Sequence, residues 1–218
     1  MKSSVLFSLD PLPYFTIEGV KQLLGDEAFA AGTIQTALYR WMKTGHVISL
    51  KKGVYMTRRF YELHRGDADF MPAISAILIP QSYVSLEFVL QRHSVLTEIT
   101  YPVSAVTLKQ TRVITNKLGT FHYHHIKQML YTGFSMVDYL GIPFSEATVA
   151  KALFDYLYFR PLTVESLSST YDLAEDLRLN LEGFSNTDQI EFSGFIEMSK
   201  SNKMEQILKL LRKTVWQP

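Results

Sequence analysis

The sequence predicts an α+β protein in two parts: a small N-terminal unit of helices closed by a β-hairpin, then a larger mixed domain with a helical C-terminal end. Three observations predict it. Apolar residues recur at helical spacing in "YFTIEGVKQLLG" and again from Thr33 to about Thr44. Two runs of alternating apolar residues, "HVISL" and "GVYMT", follow at once. Beyond "RRFYELHRGDAD", a polar stretch that reads as a hinge, strand-like and helix-like segments mix before helices take over from Ala147.

In the first part, Phe15, Ile17, Val20, Leu23 and Leu24 mark a helix with Thr16 as N-cap and Gly25 as its end. A short segment, "DEAFAAG", begins acidic and stops at Gly32. The helix from Thr33 to about Thr44 follows, closed by Gly45 at the position after its C-cap. Lys51-Lys52-Gly53 then joins two strands rich in β-branched and aromatic residues into a hairpin. Three helices and a hairpin within about 60 residues is the plan of a winged helix-turn-helix. Residues 1–65 form this unit, and residues 66–218 the α+β domain.

In the second part a helix near residues 68–79 ends at Pro80, and "SYVSLEFVLQRHSVL" reads as a short strand entering a helix. "YPVSAVTLK" and "GTFHYHHIK" are strands separated by a turn around "TNKLG", and "GFSMVDYLGIPFSE" is a further hairpin. The clearest later helix is "ATVAKALFDYLYFR". No repeat, low-complexity tract or heptad series is present.

The 218 residues are 47% hydrophobic and 20% charged, the balance of an ordinary globular protein. Net charge is only +1, so overall charge does not single out nucleic acid. Its distribution is informative: residues 1–65 hold nine Lys/Arg against five Asp/Glu, and the remainder 13 against 16. A basic front on an acidic body suits a polyanion-binding module. The absence of cysteine excludes disulfides, thiolate metal sites and a cysteine nucleophile, and it suits a reducing cytoplasm. "VLFSL" is too short for a signal-peptide core, and "FMPAISAILIP" is about half the roughly 20 residues a membrane span needs. The expectation is a soluble, cytoplasmic protein with no membrane partner.

Arg40, Lys43, Lys51, Lys52, Arg58 and Arg59 fall within twenty residues of one another. At 100° per residue, Ile34, Ala37, Leu38 and Trp41 form one stripe of the Thr33–Lys43 helix, with Met42 at its edge. The opposite face carries Thr33, Gln35, Thr36, Tyr39, Arg40 and Lys43. Gln and Arg can bond base edges in the major groove, while Thr, Tyr and Lys reach phosphates. Lys51 and Lys52 at the hairpin tip stand where a wing meets the backbone or minor groove. Arg58 and Arg59 extend the phosphate footprint. A solvated polar face, or a surface that docks a partner protein, is the alternative reading of the same residues.

Other constellations carry less. His122, His124 and His125 lie in one strand, and two histidines at i and i+2 share a face. A metal site would need a third ligand such as His93, Glu98 or Asp138, and nothing in the sequence places one. No Gly-rich phosphate loop or Gly-x-Ser-x-Gly elbow is present. Lys151 and Asp155, four apart, read as a surface pair on a core helix, worth a few tenths of a kcal/mol. No catalytic residue, metal or cofactor is expected. An enzyme using a metal on the His-rich strand is the rival from another class.

In order, "LKKGVYM", "IPQSYVSLEFVLQRHSVL", "YPVSAVTLK", "LGTFHYHHI" and "ATVAKALFDYLY" resemble the AbiEi-type antitoxins of the abortive-infection toxin–antitoxin class. The resemblance covers roughly residues 14–160. Tyr83, Val84, Ser85 and Leu86 match that family's Tyr-Val/Ile-Ser strand entering a helix. Lys151, Ala152, Leu153, Phe154 and Asp155 match its "PEKALLD"-like string, with Val149-Ala150 in place of Pro-Glu. The resemblance implies a winged helix that binds double-stranded operator DNA and represses its own operon. It also implies a C-terminal domain that counteracts a nucleotidyltransferase toxin, without necessarily binding it. Two operator half-sites would call for a dimer on DNA.

Overall fold

The computed structural model describes residues 3–24, 31–97, 102–162 and 172–216. Among these the chain is mixed α+β, with ten α-helices and two β-sheets. It opens on a helix that the sequence reading did not assign, α1 (Ser3–Leu9). Seven residues are too few to hold a helix by propensity, and α1 is held by burying Val5 and Leu9. β1 (Phe15–Thr16) leads into α2 (Ile17–Leu24), where the Thr16 hydroxyl accepts from Gly19 N at 3.1 Å. Gly25 and the start of "DEAFAAG" lie outside the described residues.

α3 (Ala31–Lys43) starts two residues before the expected Thr33 and takes in Gly32. It ends as expected at Gly45, whose φ is +79°. His46 N bonds Trp41 O at 2.9 Å and Gly45 N bonds Met42 O at 3.3 Å, the paired closure of a left-handed C-terminal cap. β2 (Val47–Lys51) and β3 (Val54–Thr57) pair antiparallel, and β1 adds to β3, giving a three-stranded sheet ordered β1-β3-β2. The turn is Lys52-Gly53, with Gly53 at φ +80°; Lys51 belongs to the strand.

The stretch read as a hinge is instead a helix, α4 (Arg58–His64). Thr57 caps it by accepting from Phe60 N at 3.1 Å, and Phe60 is only 3% exposed. A buried aromatic one turn past a good cap makes this segment part of the core.

α5 (Phe70–Leu78), β4 (Ser82–Val84), α6 (Leu86–Arg92) and β5 (Val103–Thr107) open the larger sheet. β6 (Arg112–Asn116) and β7 (Gly119–His125) form a hairpin, and β8 (Phe134–Tyr139) and β9 (Ile142–Ala147) another. β6 was not foreseen; "RVITN" is an exposed edge strand with little apolar alternation to reveal it. The order is β6-β7-β5-β4-β9-β8, with β4/β9 and β5/β7 parallel and the other pairs antiparallel. α7 (Val149–Phe159), α8 (Leu173–Asp176), α9 (Asn186–Ser199) and α10 (Asn202–Thr214) complete the chain.

Register fixes the two faces. Tyr83, Val106 and His124 are cross-strand neighbours, and their face meets α7: Tyr83 bonds Asp155 and the His124 ring lies 5.1 Å from Phe159. The opposite face carries Val84, Ala105 and Tyr123, with the Tyr123 hydroxyl bonded to Ser75 of α5. Helices on both faces explain why β4 and β5 are buried along their whole length. α9 packs on α7, and α10 on α8 and α9.

Two apolar clusters result. The smaller gathers Val5, Leu9, Phe15, Val20, Ile34, Leu38 and Val47. The larger is the core of the six-stranded sheet, and it also takes Leu50, Met56 and Phe60 from the hairpin and α4. The hairpin is thereby shared between the clusters. Among the described residues no helix is long and apolar enough to cross a membrane.

Candidate functional site

α3 divides as its sequence spacing predicts. Ile34, Ala37 and Leu38 are buried and Trp41 and Met42 half-buried, whereas Thr33, Gln35, Thr36, Tyr39, Arg40 and Lys43 are exposed. Tyr39 stands 63% in solvent, and the Arg40 guanidinium has no partner among the described residues. The helix thus turns one polar, partly basic face to solvent while its back is fixed in the small core.

The basic residues beyond α3 do not share one fate. Lys52 is exposed on the hairpin turn. Lys51 differs from the expectation: its Nζ donates to Ile77 O at 2.6 Å and Leu78 O at 3.1 Å, across the junction to α5. A cation over the last carbonyls of a helix satisfies groups that have no helical partner. Burial, and after it the nearby Lys109, lowers the Lys51 pKa from the usual lysine value. Asn116 Nδ2 donates to Leu50 O at 3.1 Å, so three side-chain bonds tie β2 to α5 and β6.

Arg58 and Arg59 lie at the other end of the hairpin, where the backbone N of Arg58 bonds His46 O at 2.7 Å. Arg58 pairs with Glu62 at 3.4 Å, and Arg59 with Asp10 at 3.5 Å. Both line a cleft of about 630 Å³ between α1, α3 and α4, and Arg40 lines it too. The structure thus brings together Arg40, Arg58 and Arg59, and leaves Lys52 on the turn at the far end of the hairpin.

The second site is one that sequence reasoning placed wrongly. Lys151 and Asp155 are not a surface pair: both side chains are 0% exposed. Lys151 Nζ lies 2.5 Å from Asp155 Oδ1, and the hydroxyls of Ser85 (2.8 Å) and Tyr83 (3.0 Å) donate to Asp155 Oδ2. Rings of Phe154 at 4.8 Å, Phe195 at 5.3 Å and Tyr83 at 5.5 Å surround the ammonium. Burial pushes Lys151 down and Asp155 up, toward their neutral forms, while each charge pulls the other back. Burial, with the Asp155 charge next, raises the Tyr83 phenol far above its usual value.

The backbone around this group is constrained. Leu86 sits at φ +55°, a left-handed conformation costing a non-glycine residue about 1–3 kcal/mol. It is clamped by Ser85, whose N bonds Ser104 O at 3.1 Å while its hydroxyl holds Asp155. Gly133, at φ +79°, closes another side; a Cβ there would overlap the Phe195 ring. The two strings that carry the family resemblance, Tyr83–Leu86 and Lys151–Asp155, meet in this one buried group. A run of apolar residues on every side of α7 was the available signal, since a helix hydrophobic all round is a buried one.

The histidines of β7 do not share one environment. His122 and His124 are half-buried, and His125 is exposed with its Nδ1 3.1 Å from Leu108 O. Among the described residues no three His, Asp or Glu side chains are placed to hold a metal ion; Glu98 lies outside them. No protein-family model matches the chain, and no curated protein matches it significantly.

Proposed function

We propose that this protein is a non-enzymatic, sequence-specific DNA-binding regulator whose N-terminal unit works as a winged helix. α3 enters the major groove, with Gln35 and Arg40 toward base edges and Thr33, Thr36, Tyr39 and Lys43 toward phosphates. Lys52 on the hairpin turn reaches the adjacent backbone, while Lys51 sets where the hairpin stands. Arg58 and Arg59 add positive charge behind the C-terminal end of α3.

The observation that carries this reading is the division of α3, whose apolar stripe is locked in the small core while its donor-bearing face is open. A repressor of this kind acts in the cytoplasm and reads two half-sites as a dimer. The antitoxin reading extends it: the α+β domain counteracts a nucleotidyltransferase toxin encoded nearby. What supports that extension is the convergence of both resembling strings on the Lys151–Asp155 group.

Selection from a random duplex pool tests the DNA reading. The expected result is an enriched motif bound by the wild type and lost from Arg40→Ala. No enrichment over the starting pool overturns it and favours the alternative, α3 docking on a partner protein. Co-expression with the neighbouring toxin tests the extension: growth is restored if it holds and stays arrested if it does not.

A further inference from the structure

We infer that the cleft between α1, α3 and α4 binds a small organic anion with a flat apolar body, such as an aryl phosphate or aryl carboxylate. At about 630 Å³ it falls within the roughly 300–1,000 Å³ of small-molecule sites. Its walls combine two chemistries. Leu6 and Phe7 of α1 face it together with Trp41 of α3. Phe7 is 65% exposed, a large ring left in water on a seven-residue helix whose Val5 and Leu9 are in the core and whose Leu6 is half-buried against it. Arg40, Arg58 and Arg59 line the same space, with Asp10 as the one acid among the described lining residues, which together carry an excess of two positive charges.

Those arginines are available. Arg40 has no partner among the described residues, the Arg58–Glu62 pair is long and exposed on both sides, and in the long Arg59–Asp10 pair the guanidinium is exposed although Asp10 is largely covered. Exposed pairs of this kind are worth little and exchange readily for a better anion. Guanidinium forks match a carboxylate or phosphate bidentately, and an indole face takes a flat ring by stacking. A DNA phosphate would engage the arginines but leave Leu6, Phe7 and Trp41 wet, and for that reason the cleft fits an amphipathic small molecule better than backbone. Arg40 belongs to both the cleft and the α3 face, so the bound anion draws it away from DNA. That coupling alone rests on the DNA-binding reading.

Calorimetric titration of the full chain, without DNA, with 1-naphthyl phosphate tests the site; 1-naphthol and inorganic phosphate are the controls. The expected result is saturable binding of one probe per chain below about 1 mM. Each control, and the Arg40→Ala and Phe7→Ala variants, should bind at least about tenfold more weakly. Both variants change exposed side chains, and an unmoved thermal midpoint verifies their fold. No saturable heat overturns the site. Equal binding of 1-naphthol overturns the anion claim, and equal binding of inorganic phosphate the apolar one. Undiminished binding in both variants places the probe elsewhere and also overturns it. In the presence of target DNA the probe should weaken the complex; probe binding with unchanged DNA affinity removes the coupling. Probe binding by a protein that binds no DNA would refute the DNA reading and leave the site standing.

Discussion

Lys151 and Asp155 form an ion pair with neither side chain reaching solvent, Nζ 2.5 Å from Oδ1. Asp155 accepts from two hydroxyls some seventy positions earlier, Tyr83 in β4 and Ser85 at the start of α6, so one carboxylate binds α7, β4 and α6 together. Removing one partner leaves the other charge buried and uncompensated. Lys151→Met is therefore expected to cost about 3–5 kcal/mol in denaturant unfolding. The double variant Lys151→Met/Asp155→Leu should recover part of that loss, because no lone charge remains. A double variant no better than the single one would contradict this account.

Tyr83→Phe removes one donor to Asp155 without changing the ring. The expected loss is about 1–2 kcal/mol. Combined with Lys151→Met it should be clearly non-additive, since both act on one carboxylate. Simple additivity would mean that the two side chains do not share a network.

Neighbouring lysines in the hairpin should separate cleanly. Lys51→Ala is expected to lower stability by about 1–2 kcal/mol, because two carbonyls at the end of α5 lose their donor. Lys52→Ala should leave stability within about 0.5 kcal/mol and reduce the salt slope of DNA binding by about 0.9. Equal stability effects at both positions would refute the distinction.

Arg40→Ala should cost about 1–3 kcal/mol of specific binding and relax preference at one position of the motif. Stability should change by less than about 0.5 kcal/mol, because the side chain is exposed and has no partner among the described residues. A variant with unchanged sequence preference would remove Arg40 from the reading surface.

His124 supplies a pH dependence. Burial, only partly offset by the Glu87 charge, holds its pKa below the ordinary 6.5. Between those two values the unfolded chain binds more protons than the folded one, so stability rises with pH there. Stability should accordingly fall as pH drops below about 6.5, and His124→Phe should flatten that slope. An unchanged slope would assign it to other groups.

Local patterns in the chain were legible and long-range ones were not. The α3 stripe, the Gly45 cap, a hairpin turn ending at Gly53 and the short strand Ser82–Val84 entering α6 follow from periodicity and glycine chemistry within a few residues. Lys151–Asp155 was misread because a four-residue spacing is the same on a buried helix as on an exposed one. Its partners Tyr83 and Ser85 come from another element. Lys51 was misread for a similar reason: nothing near the hairpin announces that the end of α5 arrives beside it. Arg58 and Arg59 were recognised as basic but not as the wall of a cleft, since α1, which supplies the opposite wall, is too short to be seen by propensity.

The most direct test of the central claim is fluorescence anisotropy of the purified protein with the DNA upstream of its own gene, across a salt series and against a scrambled duplex. The account predicts clear preference for the upstream DNA and a log–log slope of about −3 to −5, at about 0.9 per phosphate neutralised. No binding at about 50 mM salt, or equal binding to both duplexes, would contradict it.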